Sequence, residues 1–382
     1  MRENLGCTIV LALALLTVLG TAVRVPMVQA SATIYIRADG SIDPVTANIT
    51  SSDSVTYVFT DDNYDSLVVQ KYNVTVDGAG YALRGTGSGN GLTVFTNATI
   101  KNLEIESFST GVRLAHANNI TLIGCEIRDC GDGLFLGEAW DITISRSLIT
   151  NNTIGLNCNT AIGNVFTGNN FTDNEYGIQI GPYSDSNTFY HNNFINNTYQ
   201  VEVDPNYERA WDDGIEGNYW DSHSSVDSNH DGICDTAYTI DDNNTDHFPL
   251  MGLFHSYDTS LDAYVNVISN SSVNDFEYNP GTIRFFVSNM TGDQTIGFCR
   301  VSIPYEVMSE PFNVTVDGAD PTYWNYTLND NGTHRWIYFE YAHSTREIVI
   351  VPESVQLIVL PLMMTLSLLV AAAHRRKKAI KI

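Results

Sequence analysis

Four glycines, Gly111, Gly133, Gly155 and Gly177, stand 22 residues apart in a single register. Gly91 opens the preceding repeat two residues short, and Gln200 the following one a residue long. Self-similarity at such a period means a stack of like units, each able to bury its apolar side only against its neighbours. The apolar positions keep the same register. Leu92, Val112, Leu134, Leu156, Ile178 and Val201 follow the markers, and Val94, Leu114, Leu136, Cys158, Ile180 and Val203 come two residues later. That alternation of one side chain in and one out is a strand's. A second column is Ile100, Leu122, Ile144, Phe166 and Phe189, and a third is Ile105, Ile127, Ile149, Phe171 and Phe194. Three short strands per repeat describe one coil of a parallel β-helix, with coils about 4.8 Å apart by strand pairing. A leucine-rich repeat is disfavoured, because its L-x-x-L-x-L consensus and helical face are absent.

Asparagines gather where the coils must turn: Asn118-Asn119, Asn151-Asn152, Asn169-Asn170, Asn192-Asn193 and Asn196-Asn197. Asparagine tolerates a left-handed backbone and can hydrogen-bond its copy in the next coil. Thr33–Ile36, Val55–Phe59 and Asn73–Gly80 read as the opening of the solenoid and its cap. From His255 the period changes to alternating runs (Ile283–Val287, Ile296–Ile303, Phe312–Val316, Arg335–Tyr341, Glu347–Val351) parted by Pro, Gly and Asn. These predict a small antiparallel β-sandwich.

The ends are apolar in two ways. Residues 1–30 have the layout of a secretory leader, with the run Cys7–Val23 followed by small residues at 28–32. Val355–Ala373 is long enough to span a bilayer, and the basic 374–382 tail after it predicts a cytoplasmic C-terminus and an extracellular body. The expected organisation is a leader (1–30), a β-helix (31–254) with a closing segment (205–254), a sandwich (255–351), a transmembrane helix (355–373) and a tail (374–382). The fold class is all-β apart from that span.

The chain carries 44 Asp+Glu against 19 Lys+Arg, a formal charge of −25. Nucleic acid, which demands a basic patch, is excluded as a partner. Thirteen N-x-Ser/Thr sequons, at Asn48, Asn73, Asn97, Asn119, Asn151, Asn170, Asn196, Asn243, Asn270, Asn289, Asn313, Asn325 and Asn331, suit an exported chain and are candidate glycosylation sites. Cys125, Cys130, Cys158, Cys234 and Cys299 are odd in number and match no disulfide framework or zinc spacing, so they read as buried small hydrophobes.

The opening Thr33-Ile34-Tyr35-Ile36-Arg37-Ala38-Asp39-Gly40, the Val76-Asp77-Gly78-Ala79-Gly80 turn and the Asn-rich coils resemble the NosD-like family. So does a closing segment with Gly217-Asn218-Tyr219-Trp220-Asp221, Asp231-Gly232-Ile233-Cys234-Asp235-Thr236 and Asp246-His247-Phe248-Pro249-Leu250-Met251. The resemblance covers about residues 33–252, in the form common on archaeal surface proteins. It implies a right-handed, pectin-lyase-like parallel β-helix. The family's namesakes assist copper-site assembly, and its coils are similar to those of carbohydrate-active β-helices, but fold does not fix function.

The residues are therefore weighed for themselves. Copper needs clustered soft or imidazole ligands, and the nine His form no close pair. Polysaccharide cleavage needs paired carboxylates or a base beside calcium. The coil acids Glu126, Asp129, Asp132, Glu138, Asp141 and Asp173 show no such pattern. A non-catalytic binding or structural role in the cell envelope is the reading, with glycans or envelope proteins as partners. A carbohydrate-active lyase or hydrolase and a copper-site accessory are the alternatives. Trp140, Trp211 and Trp220 are the sugar-stacking candidates, with end-plugging by Trp211 and Trp220 the competing reading. No organic cofactor is expected. Calcium is the expected structural ion, in the EF-hand-like Asp227-Ser228-Asn229-His230-Asp231-Gly232-Ile233-Cys234-Asp235, through Asp227, Asn229, Asp231, the Ile233 carbonyl and Asp235. Position 12 of that loop is Tyr238 rather than Glu, so weak binding is expected.

Overall fold

The computed structural model describes residues 33–353, apart from 262 and 310. The leader, transmembrane segment and basic tail expected from the sequence lie outside the described residues.

Three parallel sheets of nine, eight and seven strands wrap one apolar core, the first and second each closed by a short antiparallel strand. The registers are those of the repeat. Leu92, Val112, Leu134, Leu156, Ile178 and Val201 pair in succession. So do Ile100, Leu122, Ile144, Phe166 and Phe189, and Ile105, Ile127, Ile149, Phe171 and Phe194. The columns run further toward the N-terminus than the glycine markers, through Leu67 to Ile34 on the first face.

The marker glycines are set by close approach of coils rather than by backbone dihedral. A Cβ on Gly133 would meet the carbonyl oxygen of Gly155 at 2.8 Å, and one on Gly155 that of Gly177 at 2.5 Å. At the last full coil there is less above to meet, and Gln200 takes the position.

Corners follow one rule: a left-handed residue, then an inward one. Asn119, Asn151 and Asn196 have φ of 52°, 55° and 54°. In the early coils the inward residue is apolar, as at Leu103, Phe108, Cys125 and Cys130, and in later coils it is asparagine. Asn169, Asn192 and Asn218 stack, each Oδ1 accepting the backbone N–H of the ladder residue one coil earlier. Their amide groups donate to the carbonyls of Ile144, Phe166 and Phe189. Asn152, Asn174 and Asn197 form a second such ladder. Turn backbone that would otherwise be buried unpaired is thus satisfied coil by coil.

Aromatic stacks end the solenoid. Phe189 stacks on Trp211 at 4.6 Å, and Phe194 on Trp220 at 4.2 Å, with Tyr238 beyond. The buried carboxylate of Asp246 closes the ladder, accepting from the backbone of Asn218 and from the Trp220 indole. Burial pushes this carboxyl up to about 6 against the pull of its donors.

Beyond it, a five-stranded and a four-stranded antiparallel sheet enclose Val265, Val267, Phe285, Val301, Ile337 and Ile350. Strands Leu253–Asp258, Tyr264–Ser269, Ser271–Asn279 and Tyr323–Asp330 join those expected from the sequence.

Candidate binding cleft

One face of the five-stranded sheet packs on its own sandwich core and the other on the coils. Alternation along each strand decides which residues do which. Tyr264, Asn266 and Ile268 alternate with the core residues Val265 and Val267, and Phe254, Arg300 and Trp336 occupy the same coil-facing side.

Glu216 holds the two halves together. Its carboxylate accepts from Arg300 and from the Trp336 indole at 3.1 Å, and lies 2.7 Å from His191 Nε2. Burial alone would raise this carboxyl, but the His191 hydrogen bond and the Arg300 charge hold it down at about 2. Asn193 adds a two-way clamp, its amide donating to the Phe254 carbonyl and accepting from the Phe254 N–H. The His191 ring stacks on Phe254 at 4.2 Å.

Beside this clamp the sheet and the coils diverge, leaving a cleft of about 550 Å³. Its coil wall is a single corner column. The positive-φ positions Gly124, Arg146, Gly168 and His191 succeed one another, so Arg146 and His191 flank a glycine. A side chain at Gly168 would grow toward Arg146 and Phe254, so the glycine keeps the floor open. The sheet wall supplies Ser256, Tyr264 and Asn266, while Tyr305, Glu306 and His334 form the rim. The Arg146 guanidinium lies 3.9 Å over the Tyr264 ring and donates to its hydroxyl at 3.1 Å. Asn266 Oδ1 is buried in the cleft wall without a hydrogen-bond partner among the described residues.

The expected site residues lie elsewhere. Trp211 and Trp220 are 0% and 1% exposed, with their rings covered in the stacks that end the β-helix. Burial corrects their reading as sugar platforms: they plug the last coil. Trp140 is 47% exposed on the coils, and it is not among the residues lining the cleft. In the 227–235 turn, Asp227 accepts the N–H groups of Asp231 and Gly232, Asp231 accepts that of Ile233, and Asp235 that of Ser228. Gly232 takes the left-handed φ of 80° that the sharp turn requires. The thirteen sequon asparagines are all exposed or half-buried. Tyr190 lines the cleft as well. The role of Arg146, His191 and Asn266 was missed. The alternation of glycine and basic residues at the 22-residue spacing is the signal that could have found the first two.

A family model described as periplasmic copper-binding protein (NosD) matches residues 24–225, more than half of the chain. No curated protein matches the chain. The matched region ends before the 227–235 turn and the sandwich.

The described residues do not fit copper. They include no group of three or more His, Cys, Asp or Glu placed to hold a metal. The one soft pair is Cys234 with Met251, 3.4 Å apart, and burial pushes that thiol up to about 12. His191, His230 and His247 are each engaged by a carboxylate.

Proposed function

This chain belongs to the NosD family, and we propose that it binds a saccharide, without cleaving it, in the cleft between its coils and its sandwich. The family's description as periplasmic agrees with a body outside the cytoplasm. The observation that carries the proposal is Asn266 Oδ1, a buried acceptor without a partner in the wall of a cleft of ligand size. Leaving such a group unpaired costs about 1–3 kcal/mol, a cost that a ligand hydroxyl would remove once the Asn266 amide turns toward the cleft. Half-buried tyrosines at 190, 264 and 305 beside hydroxyl and amide groups suit sugar rings, which present apolar faces and polar rims. Among the described lining residues Glu306 is the sole carboxylate, whereas glycoside hydrolysis uses two. That supports binding over turnover. A glycan-array screen of the purified chain tests the proposal. It predicts retention of a defined subset, lost in Tyr264→Ala; retention unaffected by that change would place the site elsewhere.

The same proposal keeps the exported context: a body held outside by the 355–373 segment, with glycans on the surface sequons. It also keeps a weak calcium site at Asp227, Asn229, Asp231, Ile233 and Asp235, whose three carboxylates a bound ion would have to draw together, since no three acids among the described residues stand placed to hold a metal. Burial and the neighbouring Asp231 charge raise the Asp227 carboxyl against its two backbone donors, a strain that a cation would relieve. Millimolar calcium should raise the melting temperature, and Asp231→Ala should abolish the gain. A melting curve indifferent to calcium would leave the loop a turn.

A further inference from the structure

In a protein with more than twice as many acidic as basic side chains, Arg146 forms no ion pair among the described residues, whereas Arg84, Arg128, Arg284, Arg300, Arg335 and Arg346 all do. Arg113 and Arg209 share that state, but Arg113 lies over Phe135 and Arg209 donates to backbone carbonyls, and of the three only Arg146 lines the cleft. Among the described residues its guanidinium makes one hydrogen bond, from Nη2 to the Tyr264 hydroxyl, and Nε and Nη1 have no partner there. The position is not one that arginine prefers. Its φ is 49°, and the coils on either side place Gly124 and Gly168 at the same corner. A long cationic residue therefore occupies a left-handed corner where glycine would cost less. It is held over Tyr264 and lines the cleft that Gly168 keeps open.

Building on the saccharide-binding reading, we propose that the cleft selects acidic saccharides, with Arg146 gripping a ring carboxylate and Asn266 accepting a neighbouring hydroxyl. A guanidinium presents two parallel N–H donors to a carboxylate, and such charge-assisted pairs are about twice as strong as neutral ones. Glu306 on the rim and the acidic exterior repel anions, so recognition depends on that short-range grip and not on a long-range field. His191 is tied to Glu216 and contributes its ring and not a free charge.

The test compares a glucuronate-containing tetrasaccharide with its methyl ester, which keeps the sugar frame and removes the charge. Titration calorimetry on the full chain should show the acid binding about tenfold to a hundredfold more tightly than the ester. Arg146→Gly, the residue of the adjacent coils, should bring the acid down to the affinity of the ester. Arg146→Lys, which keeps charge but loses the fork, should fall between. If the native chain binds ester and acid alike, or if Arg146→Gly leaves the preference intact, acid selection is wrong while the cleft remains a saccharide site. If a broad panel of neutral and acidic oligosaccharides fails to bind the native chain, both readings fall.

Discussion

Replacing Asn192 by alanine tests whether the asparagine ladder holds the late coils together. Asn192 is fully buried, accepts the Asn169 N–H at 3.1 Å and donates to the Phe166 carbonyl at 2.8 Å. It also joins Asn169 below and Asn218 above through side-chain bonds of 3.0 and 2.9 Å. Alanine strands two buried backbone groups, each costing about 1–3 kcal/mol, and breaks the ladder at an interior rung. The expected loss is about 4 kcal/mol, a large share of a domain's stability. Asn192→Asp should do no better, because a carboxylate cannot donate to Phe166 and would face the Asn218 carbonyl oxygen. Thr143→Ala, on the outward side of a strand, is the control. Chemical denaturation read by circular dichroism gives the midpoint shift, and hydrogen exchange at the Asn169 amide shows whether the opening is local. A loss below about 1 kcal/mol, or one equal to that of Thr143→Ala, would refute the ladder's role.

Leu134→Asp and Ile144→Asp each put an unpaired charge into a fully buried column and should prevent folding, seen as loss of the cooperative unfolding transition. Gly133→Ala should destabilise by about 1–3 kcal/mol, because its Cβ would meet the Gly155 carbonyl of the adjacent coil. Acid should act in two windows. Asp246, raised to about 6, binds its proton more readily folded than unfolded, so stability should rise as pH falls from about 6 toward 4. Glu216, held at about 2, does the reverse: its contribution is whole above about 4.5 and is lost as pH falls toward 2. Melting temperatures across that range should show both limbs, and Glu216→Gln should remove the lower one alone.

The β-helix was legible in the sequence because its physics is periodic. Each inward position must be apolar and each marker small, so the chain repeats them every 22 residues and the columns align from the residue spacing alone. The sandwich was half legible. Runs such as Ile296–Ile303 alternate strongly, whereas Ser271–Asn279 is polar on most positions and Tyr323–Asp330 on half, and tertiary pairing rather than pattern makes them strands. The cleft could not be read as a cleft. It arises where a sheet from the second half lies across a coil corner from the first, and Arg146 and Tyr264 are far apart in the chain. The tryptophans misled for a related reason. Nothing local separates a Trp that caps an aromatic stack from one that offers its face to a sugar, and the rings of Phe189 and Phe194 beneath them decide it.

Asn266→Ala, measured for melting temperature and for affinity toward the saccharide retained by the native chain, tests the central claim most directly. A residue kept for folding should destabilise when truncated. Asn266 Oδ1 is a buried acceptor without a partner, so its removal should leave the melting temperature unchanged or higher while weakening binding at least tenfold. A variant that melts lower and binds as the native chain does would contradict the account.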